Sequence, residues 1–317
     1  MKKLGFGAMR LPQIEADGQR VIDMETTKKM FDAYLAAGFT YFDTAYMYHG
    51  GKSETTLREL VVKRYPRDAF TITDKLPLSG KPGADELEGI FNEQLARCGV
   101  DYFDYYWLHS VDRQNYEHAE KVGAFGFIQQ KKAEGKTKHI GFSYHDTAEL
   151  LDEILTAHPE VEYVQLQINY LDWEDEKIQS RKCYEVCVKH QKPVIVMEPV
   201  KGGNLVKLPD AAKQVFEDLH GGSPASYAIR FAAGFPGILM VLSDMIKQMK
   251  DNLLANGYEL VDMLGKDYHD GMRVIANFVE DENLPAGKQV ITSIIKPQIN
   301  FNGKMIQSAQ IVVSQNI

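Results

Sequence analysis

Over residues 1–256, short apolar runs rich in β-branched and aromatic side chains alternate with longer stretches whose apolar positions recur at helical spacing. The runs are LGFGAM (4–9), TYFD (40–43), FTITDK (70–75), YFDYYWLH (102–109), KHIGFS (138–143), YVQLQIN (163–169), PVIVME (193–198) and GILMVLS (237–243). Between and after them the periodicity predicts helices over 26–37, 53–64, 85–97, 118–134, 146–157, 174–190, 223–233 and about 246–256. Ser53, Asp146 and Ser223, the last followed by Pro224, are expected helix starts. Gly38, Gly99, Gly135 and Gly234 stand where helices should stop. A succession of β-then-α units implies a parallel sheet, and eight of them close into a (β/α)8 TIM barrel of the α/β class. An open doubly wound sheet is the other arrangement, but no strand here runs into G-x-G-x-x-G ahead of a helix.

The pattern changes near Gly257. GYELVDMLGKDYHDGMRVIANFVED could supply helix, whereas KQVITSIIKP and SAQIVVSQ read as strands. Between those strands, INFNGKMI sets Asn302-Gly303 among apolar residues, a hairpin signal because both tolerate positive φ. The expected organisation is a barrel over 1–256 and an appendage of helix plus β-hairpin over 257–317.

Composition narrows the partners. The chain has 317 residues, 44% apolar and 25% charged, enough for one barrel-sized domain with an appendage. A net charge of −8 with no dense Lys/Arg block argues against a nucleic-acid groove. The apolar run of MKKLGFGAMRLP stops at Arg10, before a signal-peptide core could form. No run approaches the roughly 20 apolar residues of a membrane span. Cys98, Cys183 and Cys187 are an odd set, and a reducing cytoplasm is the expected compartment. Cys183 and Cys187 could share a helix face as metal ligands. With no second pair nearby, helix packing is the expected role and no metal is assigned.

In a barrel of this kind the active site lies at the C-terminal ends of the strands. The second run ends at Asp43, the third at Lys75, the fourth at His109 and the fifth at Ser143, and the sixth carries Gln165, Gln167 and Asn169. Tyr48 follows the second run on a loop. A phenol starts near pKa ~10, too high for an easy proton donor. An ammonium beside it favours the phenolate, and an aspartate opposite holds that ammonium charged and aimed. A histidine can orient a carbonyl oxygen. Together these groups suit an oxygen that gains negative charge as its carbon accepts hydride, and the hydride must come from a cofactor. A metal-dependent hydrolase would want several histidines at the same address. Only His109 is there, with His49 and His145 on loops and His139 inside a strand, where core filling is expected.

The pieces LGFGAMRLP, FDTAYMYHGGKSE, ITDKL, YYWLHSVD, GKTKHIGFSYHD, YVQLQINYLDW and VIVMEPVKGGNL, in this order and spacing, resemble the aldo-keto reductases from about Leu4 to Asn256. That family consists of NADP(H)-dependent oxidoreductases on a (β/α)8 barrel. The resemblance implies Tyr48 as general acid/base, Lys75 tuning it, Asp43 pairing with Lys75, and His109 steering the oxygen of a small carbonyl substrate. It also implies cofactor contacts from Met9, from Ser143 and Gln165 to the nicotinamide carboxamide, from Met197 to the ring, and from Glu198, Pro199 and Val200 beyond it. Many members have Asn after the serine, whereas this chain has Tyr144. The finer resemblance, through GFSYHD and VMEPVKGGNL, is to bacterial members with a ferredoxin-like extension. No cysteine follows Cys187, so that iron–sulfur extension is not expected.

Relatives follow the eighth strand with a Gly-Met-Ser-like turn whose helix start holds a phosphate. Here MVLSDMIKQMKDN is about three residues short and sets Asp244 at that turn, while Asp251 and Asn252 match the adenine-binding end. A carboxylate repels phosphate, so weakened cofactor affinity is expected, with NADP or NAD as cofactor. The tail after Gly257 replaces the segment that walls the substrate pocket in relatives. Two readings follow: a reductase of aldehydes or ketones, or a non-catalytic barrel that senses cofactor or binds a partner.

Overall fold

The structure, a computed structural model, describes residues 2–16, 18–219, 222–243, 258–261, 263–296 and 298–316. Its first elements in chain order are β1 (Leu4–Gly7), β2 (Gln13–Ala16), β3 (Gln19–Ile22), α1 (Met24–Ala36), β4 (Tyr41–Asp43), α2 (Lys52–Leu57), β5 (Thr71–Pro77), α3 (Leu87–Cys98) and β6 (Phe103–Val111). They continue with α4 (Arg113–Val122), α5 (Ala124–Ala133), β7 (Thr137–Tyr144), α6 (Ala148–Ala157), β8 (Tyr163–Gln167), α7 (Ser180–Lys189), β9 (Val194–Met197), α8 (Asp210–Asp218), α9 (Pro224–Ala233) and β10 (Ile238–Ser243). Strands β1 and β4 to β10 form a closed parallel barrel, sealed where β1 pairs with both β10 and β4. The eight apolar runs are its eight strands.

Period-two alternation sorts each strand into two faces. Outward residues such as Phe6, Phe42, Tyr106, Phe142 and Val196 join the sheet–helix core. Inside the barrel, Tyr41, Tyr105, Trp107, Ile195 and Met240 pack into an apolar floor with Leu242. Gly141 admits the Trp107 ring, since a Cβ there would lie 2.3 Å from the Tyr163 carbonyl and 2.4 Å from the indole. One step further along the same strands, the inward residues become polar. They are Asp43, Lys75, His109, Ser143 and Gln165.

Several local expectations are corrected. Ser53 lies inside α2, where its hydroxyl pairs with Thr44 Oγ1 at 2.8 Å and donates to the Ala8 carbonyl at 3.1 Å, tying helix to barrel rim. Thr147, not Asp146, caps α6; Asp146 accepts the Arg113 N–H instead. Ser223 does cap α9, with Pro224 in its first turn. The stretch 118–134 is two helices, because Gly123 turns left-handed (φ 69) between α4 and α5. The β2–β3 hairpin and α8 had no strong sequence signal. The helix expected over about 246–256 lies outside the described residues, as do Asp244, Asp251 and Asn252.

The regular elements in the described part of the tail are all strands: β11 (Tyr258–Val261), β12 (Val274–Glu280), β13 (Gln289–Lys296), β14 (Gln298–Phe301), β15 (Lys304–Gln307) and β16 (Ala309–Gln315). The helix expected in this appendage is thus replaced by strands in two three-stranded sheets, β11-β14-β15 and β12-β16-β13. The hairpin expected at Asn302-Gly303 is present, with both residues at positive φ. Met263, Ile291, Ala309, Ile311 and Val313 give the tail a core of its own. Its Ser293–Ile295 edge borders a groove with Lys28, Leu35 and Tyr65 on the flank of the barrel.

Candidate active site

The inward polar residues open into a cavity of about 560 Å³ at the C-terminal ends of the strands. Gly7, Met9, Asp43, Met47, Tyr48, His109, Ser143, Gln165, Met197, Glu198 and Leu242 are among its walls. Lys75 lies directly behind them with no exposed surface.

Lys75 Nζ has three hydrogens and three acceptors: Asp43 Oδ1 at 2.5 Å, the Thr44 carbonyl at 2.6 Å and the Tyr48 hydroxyl at 3.2 Å. Burial alone would lower the Lys75 ammonium, but the charges of Asp43 and Tyr48 reverse this and hold its pKa above the ordinary value. Burial raises the Asp43 carboxyl, while the Lys75 ammonium and the Gln165 amide at 3.3 Å oppose it. With the ammonium stabilised at 2.5 Å, the ion pair is the state we assign. The Lys75 ammonium also stands 4.7 Å from the Tyr48 ring centroid.

His109 meets the Tyr48 ring edge-on, with centroids 5.7 Å apart. Burial, with the nearby Lys75 charge, pushes its pKa down to about 3, so the imidazole is neutral at physiological pH. A bulge re-aims this part of β6: between Leu108 and Val111 the register slips against β7, and Ser110 turns left-handed (φ 58). The Ser110 N–H then donates to Ser143 Oγ at 2.8 Å.

That bond leaves the Ser143 hydroxyl hydrogen available as a donor. Gln165, which gives its amide N–H to Asp43 Oδ2, keeps its carbonyl as an acceptor. One donor and one acceptor on neighbouring strands, both lining the cavity, are the complement of a carboxamide. Met197 lies beside them at the end of β9, and Met9 forms the facing rim. Glu198 turns left-handed (φ 53) and pairs with Arg10 at 2.6 Å, joining the loops after β1 and β9. Val200 packs with Leu205, Ala225 and Ala228 away from the cavity, and neither it nor Pro199 lines the space. Tyr144, in the position of the family's asparagine, is buried and donates its hydroxyl to the Thr147 carbonyl, so it offers no side chain to the cavity.

Gln167 lines the cavity too, while Asn169 bonds buried Asp172, which pairs with Lys201. His49 is held by the Leu11 N–H and by Gln13, and His139 packs between Tyr105 and Tyr163. Cys183 and Cys187 are buried in the helix–sheet core. His145 lines the cavity although its sequence context marked it only as a loop residue. Its signal was the continuing alternation from Ser143. Met47 and Ser79 are further lining residues that no pattern pointed to.

A family model described as the aldo/keto reductase family matches residues 3–264. The chain is 29% identical over 187 residues to aldo-keto reductase str7 of Strobilurus tenacellus, covering 56% of this chain and about half, 53%, of that protein. It is 24% identical over 276 residues to an aldo-keto reductase of Mycobacterium avium (strain 104), covering 84% of this chain and 89% of the other. The crystal structure of an aldo-keto reductase from Klebsiella pneumoniae in complex with NADPH matches with a TM-score of 0.60 at 21% identity, over 80% of this chain and 84% of that one. Barrel topology, the residues at the strand ends and these likenesses agree: the chain belongs to the aldo/keto reductase family.

Proposed function

We propose that the protein is an NADP(H)-dependent oxidoreductase that reduces a small aldehyde or ketone to its alcohol. The observation that carries this reading is the buried Lys75 ammonium held between Asp43 and the Tyr48 hydroxyl. NADP is favoured by the NADPH complex of the Klebsiella neighbour, with NAD as the other nicotinamide cofactor admitted. Ser143 and Gln165 would hold the carboxamide, with Met9, Met197 and Glu198 along the cofactor. Pro199 and Val200, which do not line this cavity, would follow further along the cofactor. When bound, the cofactor supplies the hydride.

The chain's own residues do the rest. Tyr48 and neutral His109 donate hydrogen bonds to the carbonyl oxygen and orient it. As negative charge builds on that oxygen, the Tyr48 proton moves to it, completing the alcohol. The ammonium at 3.2 Å stabilises the phenolate left behind, and Asp43 keeps that ammonium in place. In the reverse direction Tyr48 accepts the proton. The reading treats residues 1–256 as the catalytic barrel and 257–317 as an appendage, in a cytoplasmic protein. No helix among the described residues is long and apolar enough to cross a membrane.

Loss of NADPH absorbance with a panel of small aldehydes tests the reading. Tyr48→Phe is expected to lower kcat by roughly 10²–10⁴-fold, the range for a general acid. Equal rates would remove Tyr48 from the chemistry. Cofactor binding without turnover by the wild type would favour a non-catalytic barrel instead.

A further inference from the structure

His145 continues the inward parity of Gly141 and Ser143, so its imidazole stands one step above Ser143 toward the cavity mouth. Its backbone N–H donates to the Val111 carbonyl at 2.9 Å, fixing it to the strand that carries His109. The residue is exposed, and it lines both this cavity and a smaller one of about 140 Å³ bordered by Tyr144 and Lys177; burial lowers its pKa. Among the described residues neither ring nitrogen makes a hydrogen bond. A neutral imidazole offers one donor and one acceptor, the complement of a hydroxyl. Among the described residues no lysine or arginine lines the larger cavity, whereas the carboxylates of Asp43 and Glu198 do. The Glu198 carboxylate is close enough to His145 to act on its charge. Asp43 is paired with Lys75 and Glu198 with Arg10, so an anionic substrate would meet these cations already neutralised by carboxylates.

We propose that His145 is a specificity-determining residue that hydrogen-bonds a hydroxyl beside the reacting carbonyl, selecting neutral hydroxyaldehydes and hydroxyketones over unsubstituted carbonyls and oxo acids. This rests on the reductase reading above, with His109 and Tyr48 on the carbonyl oxygen and His145 on the neighbouring substituent.

Two matched pairs test it with NADPH as cofactor. Lactaldehyde and propanal differ by one hydroxyl. The ratio of their kcat/KM values is expected to fall roughly tenfold in His145→Ala, the worth of one hydrogen bond, and to recover in His145→Asn. Comparing ratios between variants cancels differences in aldehyde hydration. Hydroxyacetone and pyruvate have similar shapes but different charge, and the wild type is expected to favour the neutral ketone by at least about 100-fold. This second comparison needs no variant and stands if a substitution fails to fold. An unchanged lactaldehyde-to-propanal ratio, or pyruvate used as well as hydroxyacetone, overturns the inference while leaving the reductase reading intact. Failure of the wild type to oxidise NADPH with any of the four compounds overturns both.

Discussion

Lys75 is a full charge with no exposed surface, and it is tolerable there only because each N–H has an acceptor. Removing Asp43 leaves that charge uncompensated. Asp43→Ala is expected to cost about 3–5 kcal/mol of stability in urea unfolding, as for other broken buried pairs. A loss below about 1 kcal/mol would show that Lys75 enters the fold neutral. His109 makes a different statement about pH. Its native pKa of about 3 lies below the unfolded value near 6.5, so the unfolded chain binds more protons between them. Its contribution to stability is complete above 6.5 and is lost as pH falls toward 3. The same neutrality predicts that kcat/KM for carbonyl reduction carries no step from His109 between pH 5 and 7. A limb centred near 6.5 that disappears in His109→Gln would contradict it. The convergence of Asp43, Lys75 and His109 was legible in the sequence because strand ends share an address. The place of His145 was not, since the parity of Ser143 had to be carried past the end of β7.

At the scale of elements, the alternation that sends Lys75 inward sends Asp74 outward, under α2 and α3. There Asp74, Glu54 and Cys98 place ligating atoms within 4.8 Å of one another. Arg97 pairs with Glu54 at 3.0 Å and Lys75 N–H donates to Asp74 Oδ1 at 2.8 Å. Burial, with the Glu54 charge, holds the Asp74 carboxyl well above its ordinary range, so Asp74 is the protonated member. The native state then binds a proton that the unfolded chain releases near pH 4. Stability from this site is full below that pH and falls as pH rises through the raised native value. Asp74→Asn does not titrate, so its Tm relative to wild type should climb between pH 4 and pH 8. A pH-independent difference would place the ionised carboxylate in the native state. Element boundaries were less legible than element order. The polar QIEADGQRVI of β2–β3 lacks a half-buried pattern, and a single left-handed glycine divides α4 from α5 without breaking the apolar period.

For the whole molecule, the barrel followed from the order of its units, whereas the tail's DYHDGMRVIANFVED run mixes helix formers with the β-branched residues that became β12. Among the described residues the tail core contains no barrel residue, and no tail residue lines the cavity. A protein ending at residue 256 is therefore expected to keep one cooperative thermal transition and the aldehyde-dependent oxidation of NADPH. Loss of either would make the appendage part of the working fold. The central claim is that Tyr48, aimed by Lys75, gives the proton that accompanies hydride delivery. Its most direct test is single-turnover transfer of deuterium from [4,4-²H2]NADPH to propanal, followed by the mass of the alcohol formed. We expect labelled propanol from the wild type, and from Tyr48→Phe the same product at least about 100-fold more slowly, with cofactor affinity unchanged. Equal transfer rates in the two proteins, or an alcohol without label, would contradict it.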